Sequence, residues 1–263
     1  MKRLLFLLAT IALCISSTAT AVETEPAKTR PKNVIIMIGD GMGYNTVYSA
    51  SIYLTGEKEG FAWQGLSFAA SMRTFARGGS YDSRLMWSDP IYCTSGATDS
   101  AAAATAMSCG LKTYSGAIGV DNSRQPVENI MERAEALGKS TGVVTSVQFS
   151  HATPAGFVAH NLSRGNYAEI ALEMLKSSVD VIMGAGHPYY DNNGKRLNRA
   201  ISFEYVGGET GWNGLRKGSY GTLVTRRKGF KKYMHGKTPE RLIGVARVHQ
   251  TLQQRRSSAN ASP

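Results

Sequence analysis

Cysteine is nearly absent, with three in 263 residues. Cys14 falls in an N-terminal leader, which leaves Cys93 and Cys109. Two thiols can form one bridge at most, so a disulfide-dense scaffold is excluded, and sequence alone does not show that they meet. Long apolar runs are equally scarce. Leu4 to Ile15 is too short to span a bilayer, and no later run is long and apolar enough to do so. There is no internal repeat and no long low-complexity tract, which excludes solenoid architectures. Acidic residues are few, 19 against 30 Lys and Arg, giving a net charge of +11. The deficit is local. Lys195 to Pro263 holds 15 basic and 3 acidic groups (+12), residues 22 to 194 carry −3, and Lys2 and Arg3 add +2. A polyanion-binding reading therefore applies to the last quarter only.

The chain does have enough apolar residues for a core. A hydrophobic fraction of 42% with 19% charged residues excludes disorder as the main state, and the length suits one large domain or two small ones. Residues 1–21 read as a secretory leader: Lys2 and Arg3 precede the short apolar run, and Ala19-Thr20-Ala21 supplies the small-x-small cleavage pattern. The expected mature chain begins at Val22, exported to the periplasm or beyond. No membrane partner is expected after cleavage.

Periodicity points to an α/β fold. Asn33 to Ile38 is a short β-branched apolar run closed by Gly39, as a buried strand reads. Gln125 to Leu137 carries Val127, Ile130, Met131, Ala134 and Leu137 on one helical face, and Val143 to Val147 follows as a strand. Asn166 to Ser177 is again amphipathic, and Val179 to Met183 is a further strand ending in glycines. Such alternation predicts a largely parallel sheet with helices on both faces, with ligands gathering beyond the carboxyl ends of its strands.

Three segments carry candidate chemistry. Gly39-Asp40-Gly41-Met42-Gly43 follows the first expected strand, so Asp40 is a candidate metal ligand and the glycines would allow close backbone approach. A dinucleotide fingerprint is excluded because its third glycine would fall on Tyr44. In Thr94 to Thr105 a polar approach ends in an alanine run, so Ser100 opens a helix whose positive end suits a phosphate or a developing alkoxide. Ser100 is the nucleophile candidate; the plainer alternative makes Asp99 or Ser100 an N-cap. Gly138 to Gly142 matches G-x-S-x-G around Ser140 but precedes a strand, so Ser140 is dismissed. Finally, His151 and Thr153 follow the strand at 143–147, Pro154 starts a short helix through His160, and Arg164 offers a planar fork for phosphate. His160, His187, His235 and His249 read as structural.

Together with Lys112 to Asp121, these segments stand in the order and spacing of bacterial alkaline phosphatases, and the sequence from about Asn33 to about Arg256 resembles that family. The resemblance implies hydrolysis of small-molecule phosphate monoesters through a covalent phosphoserine, at a site with two zinc ions and a magnesium. By position, Ser100 would be nucleophile and zinc ligand, and Asp40 would bridge that zinc to magnesium. His151 and Thr153 would lie on the magnesium side, Arg164 would clamp phosphate, and Asp99 would orient Arg164. Some members carry Asp where this chain has His151, and imidazole should weaken magnesium there and favour zinc or cobalt.

The family's remaining Asp, His and Glu ligands have no counterpart after Arg164, so the expectation is a truncated chain, with 22–263 as the N-terminal part of the domain and little activity. A homodimer is implied, and nucleic acid is not. Two alternatives are another metal-dependent phosphohydrolase or phosphodiesterase of the same superfamily, and a non-catalytic basic binding protein.

Overall fold

The computed structural model describes residues 32–253, except 93 and 236, together with 257. Chain contacts divide it into two units, Met1–Gly39 and Asp40–Pro263. The leader and its cleavage site lie outside the described residues, as does Cys93, so its pairing with Cys109 does too.

In the first unit, residues 33–38 do not form the expected strand: Ile35 is 85% and Met37 92% exposed. A β-branched run is a strand only when neighbours pair its alternating N–H and C=O groups, and composition says nothing about those neighbours.

The second unit holds the sheet. Helix α1 (Tyr44–Thr55) and the short α2 (Ser83–Ser88) precede α3 (Ser100–Cys109), and between residues 40 and 98 only Val47, Ser51 and Ala76 are buried among the described residues. From α3 onward the chain packs densely: α4 (Ile130–Ala136), β1 (Gly142–Gln148), α5 (Ala152–Ala155), α6 (Tyr167–Lys176) and β2 (Val181–Ala185). These are followed by α7 (Gly208–Lys217), β3 (Thr222–Val224), α8 (Arg227–Lys232) and β4 (Leu242–Val245). The four strands run in the order β1-β2-β4-β3, every pair parallel, with Val181 opposite both Gly142 and Leu242. The expected α/β class with a parallel sheet therefore holds. Parallel strands need helical crossovers, and β4, wholly buried, is an unbroken apolar run.

Two helices begin or end where local chemistry dictates rather than where periodicity suggests. The helix expected from Gln125 starts only at Ile130, because Asn129 and Glu132 cap each other reciprocally and Pro126 lies in a β-bridge with Val120. The helix expected from Pro154 through His160 is the four-residue α5, closed at Gly156. Buried Ile170, Met174 and Leu175 of α6 join Ile182, Ile243, Val245, Phe149 and Leu215 in one core. The alanine run of α3 serves close packing instead: a Cβ on Gly156 would meet Ala104 Cβ at 2.7 Å. Small residues on both sides thus let α3 approach the α5 turn, which brings Ser100 towards Thr153.

Candidate active site

Asp40 leaves the turn between Gly39 and α1. Gly41 adopts φ +66°, a conformation suited to glycine, and that is its role, because no atom lies close to a Cβ built at Gly41 or Gly43. The space beside both glycines is open on the protein side. The two Asp40 oxygens accept separate hydroxyls: Ser100 Oγ donates to Oδ1 at 3.0 Å, and Thr153 Oγ1 donates to Oδ2 at 2.8 Å. One carboxylate thereby joins hydroxyls from α3 and α5.

Ser100 is the first residue of α3, and Asp99 is its N-cap, as the plainer alternative for this pair has it. Asp99 Oδ1 accepts from the Ala102 N–H at 3.0 Å. Its other oxygen accepts from the Gly116 N–H at 3.0 Å and from Arg164 Nη1 at 3.1 Å. The Arg164 N–H in turn donates to the Gly116 carbonyl at 2.8 Å. Gly116 thus holds both partners of the ion pair, a role sequence reasoning missed although the residue lies in the Lys112–Asp121 motif; its φ of +92° is the physical signal.

The second face of the Arg164 fork turns to His151, with Nη2 at 3.4 Å from Nε2. Arginine can only donate, so Nε2 accepts and Nδ1 carries the proton. Burial, helped by the Arg164 charge, pushes the His151 pKa below its ordinary value despite the opposing pull of Asp40. The Nδ1 atom is buried with no hydrogen-bond partner among the described residues, and the Tyr167 ring stands 6.3 Å from the imidazole. Asp40, Ser100 and Thr153 form one hydrogen-bonded group and Asp99, Arg164 and His151 another, the two brought together by the chain at Asp99–Ser100 and His151–Thr153 and by the Asp40 charge felt at His151. Ser140 lies in the turn before β1, apart from both.

The other histidines are elsewhere. His160 lies between Glu132 and Glu173, whose hydrogen bond and charge raise its pKa. His187 and His249 are buried beyond the ends of β2 and β4. Among the described residues no three His, Cys, Asp or Glu side chains cluster as a metal cage.

The family model for alkaline phosphatase matches residues 31–251. The chain belongs to the alkaline phosphatase family. It is 35% identical over 201 residues to alkaline phosphatase 4 of Bacillus subtilis, covering 73% of this chain and 41% of that protein. Against the Escherichia coli alkaline phosphatase it is 33% identical over 187 residues, covering 64% and 38%. Among solved structures it is similar to a cold-active alkaline phosphatase from Shewanella sp., with a TM-score of 0.59, 33% identity, and coverage of 85% of this chain and 48% of that one. The alkaline phosphatase of the Antarctic bacterium TAB5 gives a TM-score of 0.54 at 25% identity, covering 81% and 54%. The chain thus spans about four-tenths of the length of these two curated relatives.

Proposed function

We propose that this chain carries the nucleophile side of a phosphomonoesterase site, acting on small phosphate monoesters through a phosphoserine at Ser100. The observation that carries this reading is the Asp40 carboxylate bridging the Ser100 and Thr153 hydroxyls beside the Asp99–Arg164 pair. Ser100 Oγ would attack phosphorus, forming the Oγ–P bond as the bond to the ester oxygen breaks and the alcohol leaves with a proton. Asp40 accepts the Ser100 hydrogen bond, which aims an oxygen lone pair outward. The N-terminus of the ten-residue α3 and the Arg164 guanidinium favour the phosphoryl oxygens. Water then cleaves the phosphoserine to inorganic phosphate and free serine.

Zinc and magnesium, when bound, supply Lewis-acid stabilisation of the entering and leaving oxygens. Asp40, Ser100 and Thr153 offer oxygen donors that fit such ions in kind, whereas His151, with Nε2 accepting from Arg164 and Nδ1 protonated, would have to give up that contact to present a nitrogen lone pair. They do not fit in number: zinc takes about three or four protein ligands, and the described residues hold no three-ligand cluster. The His151 imidazole should favour zinc or cobalt over magnesium. On this reading the 263-residue chain by itself turns over monoesters slowly or not at all.

The test is a chromogenic phosphate monoester assay with added zinc and magnesium beside Ser100→Ala, together with acid trapping of labelled phosphate on the chain. Label on the Ser100 peptide with little turnover is expected; label elsewhere would sink the assignment. Strong metal-dependent turnover, absent in Ser100→Ala, would show that this chain supplies the remaining ligands. We further propose export with removal of residues 1–21, and a homodimer as the functional assembly. Intact mass of exported protein should place the first residue at Val22, and sedimentation would give the assembly.

A further inference from the structure

Thirty residues of this chain, 210–239, contain eight Lys or Arg and no Asp or Glu. The structure gathers the densest part of that run on α8. Arg227, Lys228, Lys231 and Lys232 stand one, three, four and five positions apart in a helix of six residues, so 227/231 and 228/232 are like-charged neighbours on one face. Such pairs work against the helix and serve no packing purpose.

What holds α8 in place is its opposite side. Gly229 lies against Val224, and the Phe230 ring covers Gly244 of β4, each so closely that a Cβ on the glycine would collide. The four helical cations, with Arg226 before them and Lys237 after, all face solvent. None has a carboxylate partner among the described residues. Met234 is 69% exposed beside them.

We propose that this basic face docks on an anionic phospholipid surface. A row of Lys and Arg flanking an exposed apolar side chain suits the headgroup boundary, where cations meet lipid phosphates and Met234 reaches the acyl region. Nucleic acid fits less well, because single-strand recognition uses open aromatic faces. Here Phe230 is turned onto the sheet, and Lys232 Nζ covers the Tyr233 ring at 5.2 Å from its centroid. The expectation of no membrane partner after leader cleavage placed the cations only in the last quarter of the sequence; the packing of α8 gives four of them one face. This inference does not depend on the hydrolase reading.

The experiment is sedimentation of the full chain with phosphatidylcholine vesicles, with and without about one-third phosphatidylglycerol, at about 0.1 M and 0.5 M salt. The quantity read is the affinity ratio between the two vesicle types, which cancels any contribution of the apolar leader to neutral lipid. Each cation near an anionic surface is worth roughly fivefold. The triple variant Lys228→Gln, Lys231→Gln, Lys232→Gln should therefore lower the ratio by on the order of a hundredfold. The corresponding Lys→Arg triple should keep it, and Lys195→Gln with Arg199→Gln, equally exposed but remote in sequence, should leave it nearly unchanged. High salt should abolish it. Equal binding to both vesicle types, or an unaltered ratio in the glutamine triple, would overturn the proposal. Tighter binding to duplex or single-stranded DNA, lost in the same triple, would also overturn it and make the face a nucleic-acid surface.

Discussion

Asp99 divides its work between two oxygens, one capping α3 and the other holding Arg164 and the Gly116 N–H. Substitution by asparagine separates these tasks, since Asn caps a helix about as well as Asp but brings no charge to the guanidinium. Hydrogen bonds to charged groups are worth about 1.5–3 kcal/mol. Asp99→Asn should therefore weaken inorganic phosphate binding by roughly ten- to a hundredfold, with the unfolding midpoint nearly unchanged, as calorimetry and denaturation would show. Phosphate binding as unchanged as the unfolding midpoint would mean that Asp99 is only a cap. His187 is a different case. Burial, reinforced by Arg247 and Arg196, depresses its pKa from 6.5 to about 4. As pH falls the unfolded chain takes up that proton first, so the stability contribution is present above about pH 6.5 and lost towards pH 4, on the order of 3 kcal/mol. His187→Asn keeps an acceptor for the Tyr189 N–H, at 3.2 Å in the parent, while removing the titration. Denaturation midpoints between pH 7 and 4 should fall less steeply in the variant; parallel curves would remove His187 from the account.

At the scale of elements, the site depends on how closely α3 meets the α5 turn. Gly156 has φ −62° and ψ −11°, ordinary right-handed values, so its backbone does not require glycine. Space does, because a Cβ would lie 2.7 Å from Ala104 Cβ and 3.2 Å from the Thr105 nitrogen. Overpacking of this kind costs about 1–3 kcal/mol. Gly156→Val should lower thermal stability accordingly and also weaken phosphate binding, by pushing Ser100 away from Thr153. Unchanged melting and binding would show that the interface yields freely. The same region shows what the sequence reveals and what it hides. The amphipathic face of residues 166–177 and the apolar run at 179–183 are local patterns, and α6 and β2 follow them within a residue or two. Ser100 as a helix start was legible because a propensity change marks it. The 33–38 run was misleading because a strand depends on neighbours that its own residues do not specify. Gly116 and Gly156 were invisible for a related reason, since each matters through an atom more than 15 residues away in the chain.

For the whole molecule, packing is uneven. The core lies almost entirely beyond Ser100, whereas residues 40–98 bury three side chains among those described. Within that sparse stretch sits Asp40, whose hydrogen bonds to Ser100 and Thr153 span 60 and 113 residues of chain. The two hydroxyls stand on core elements; the carboxylate joining them does not. Local opening free energies follow buried apolar contact, so the segment bearing Asp40 belongs to the low end of the range and α3 with α6 to the high end. The site is thus assembled from parts of unequal persistence. Asp40 can depart and return while Ser100, Asp99 and Arg164 hold their places, and ions or ligands that engage Asp40 stabilise the first sixty residues of this unit by mass action more than they stabilise the core.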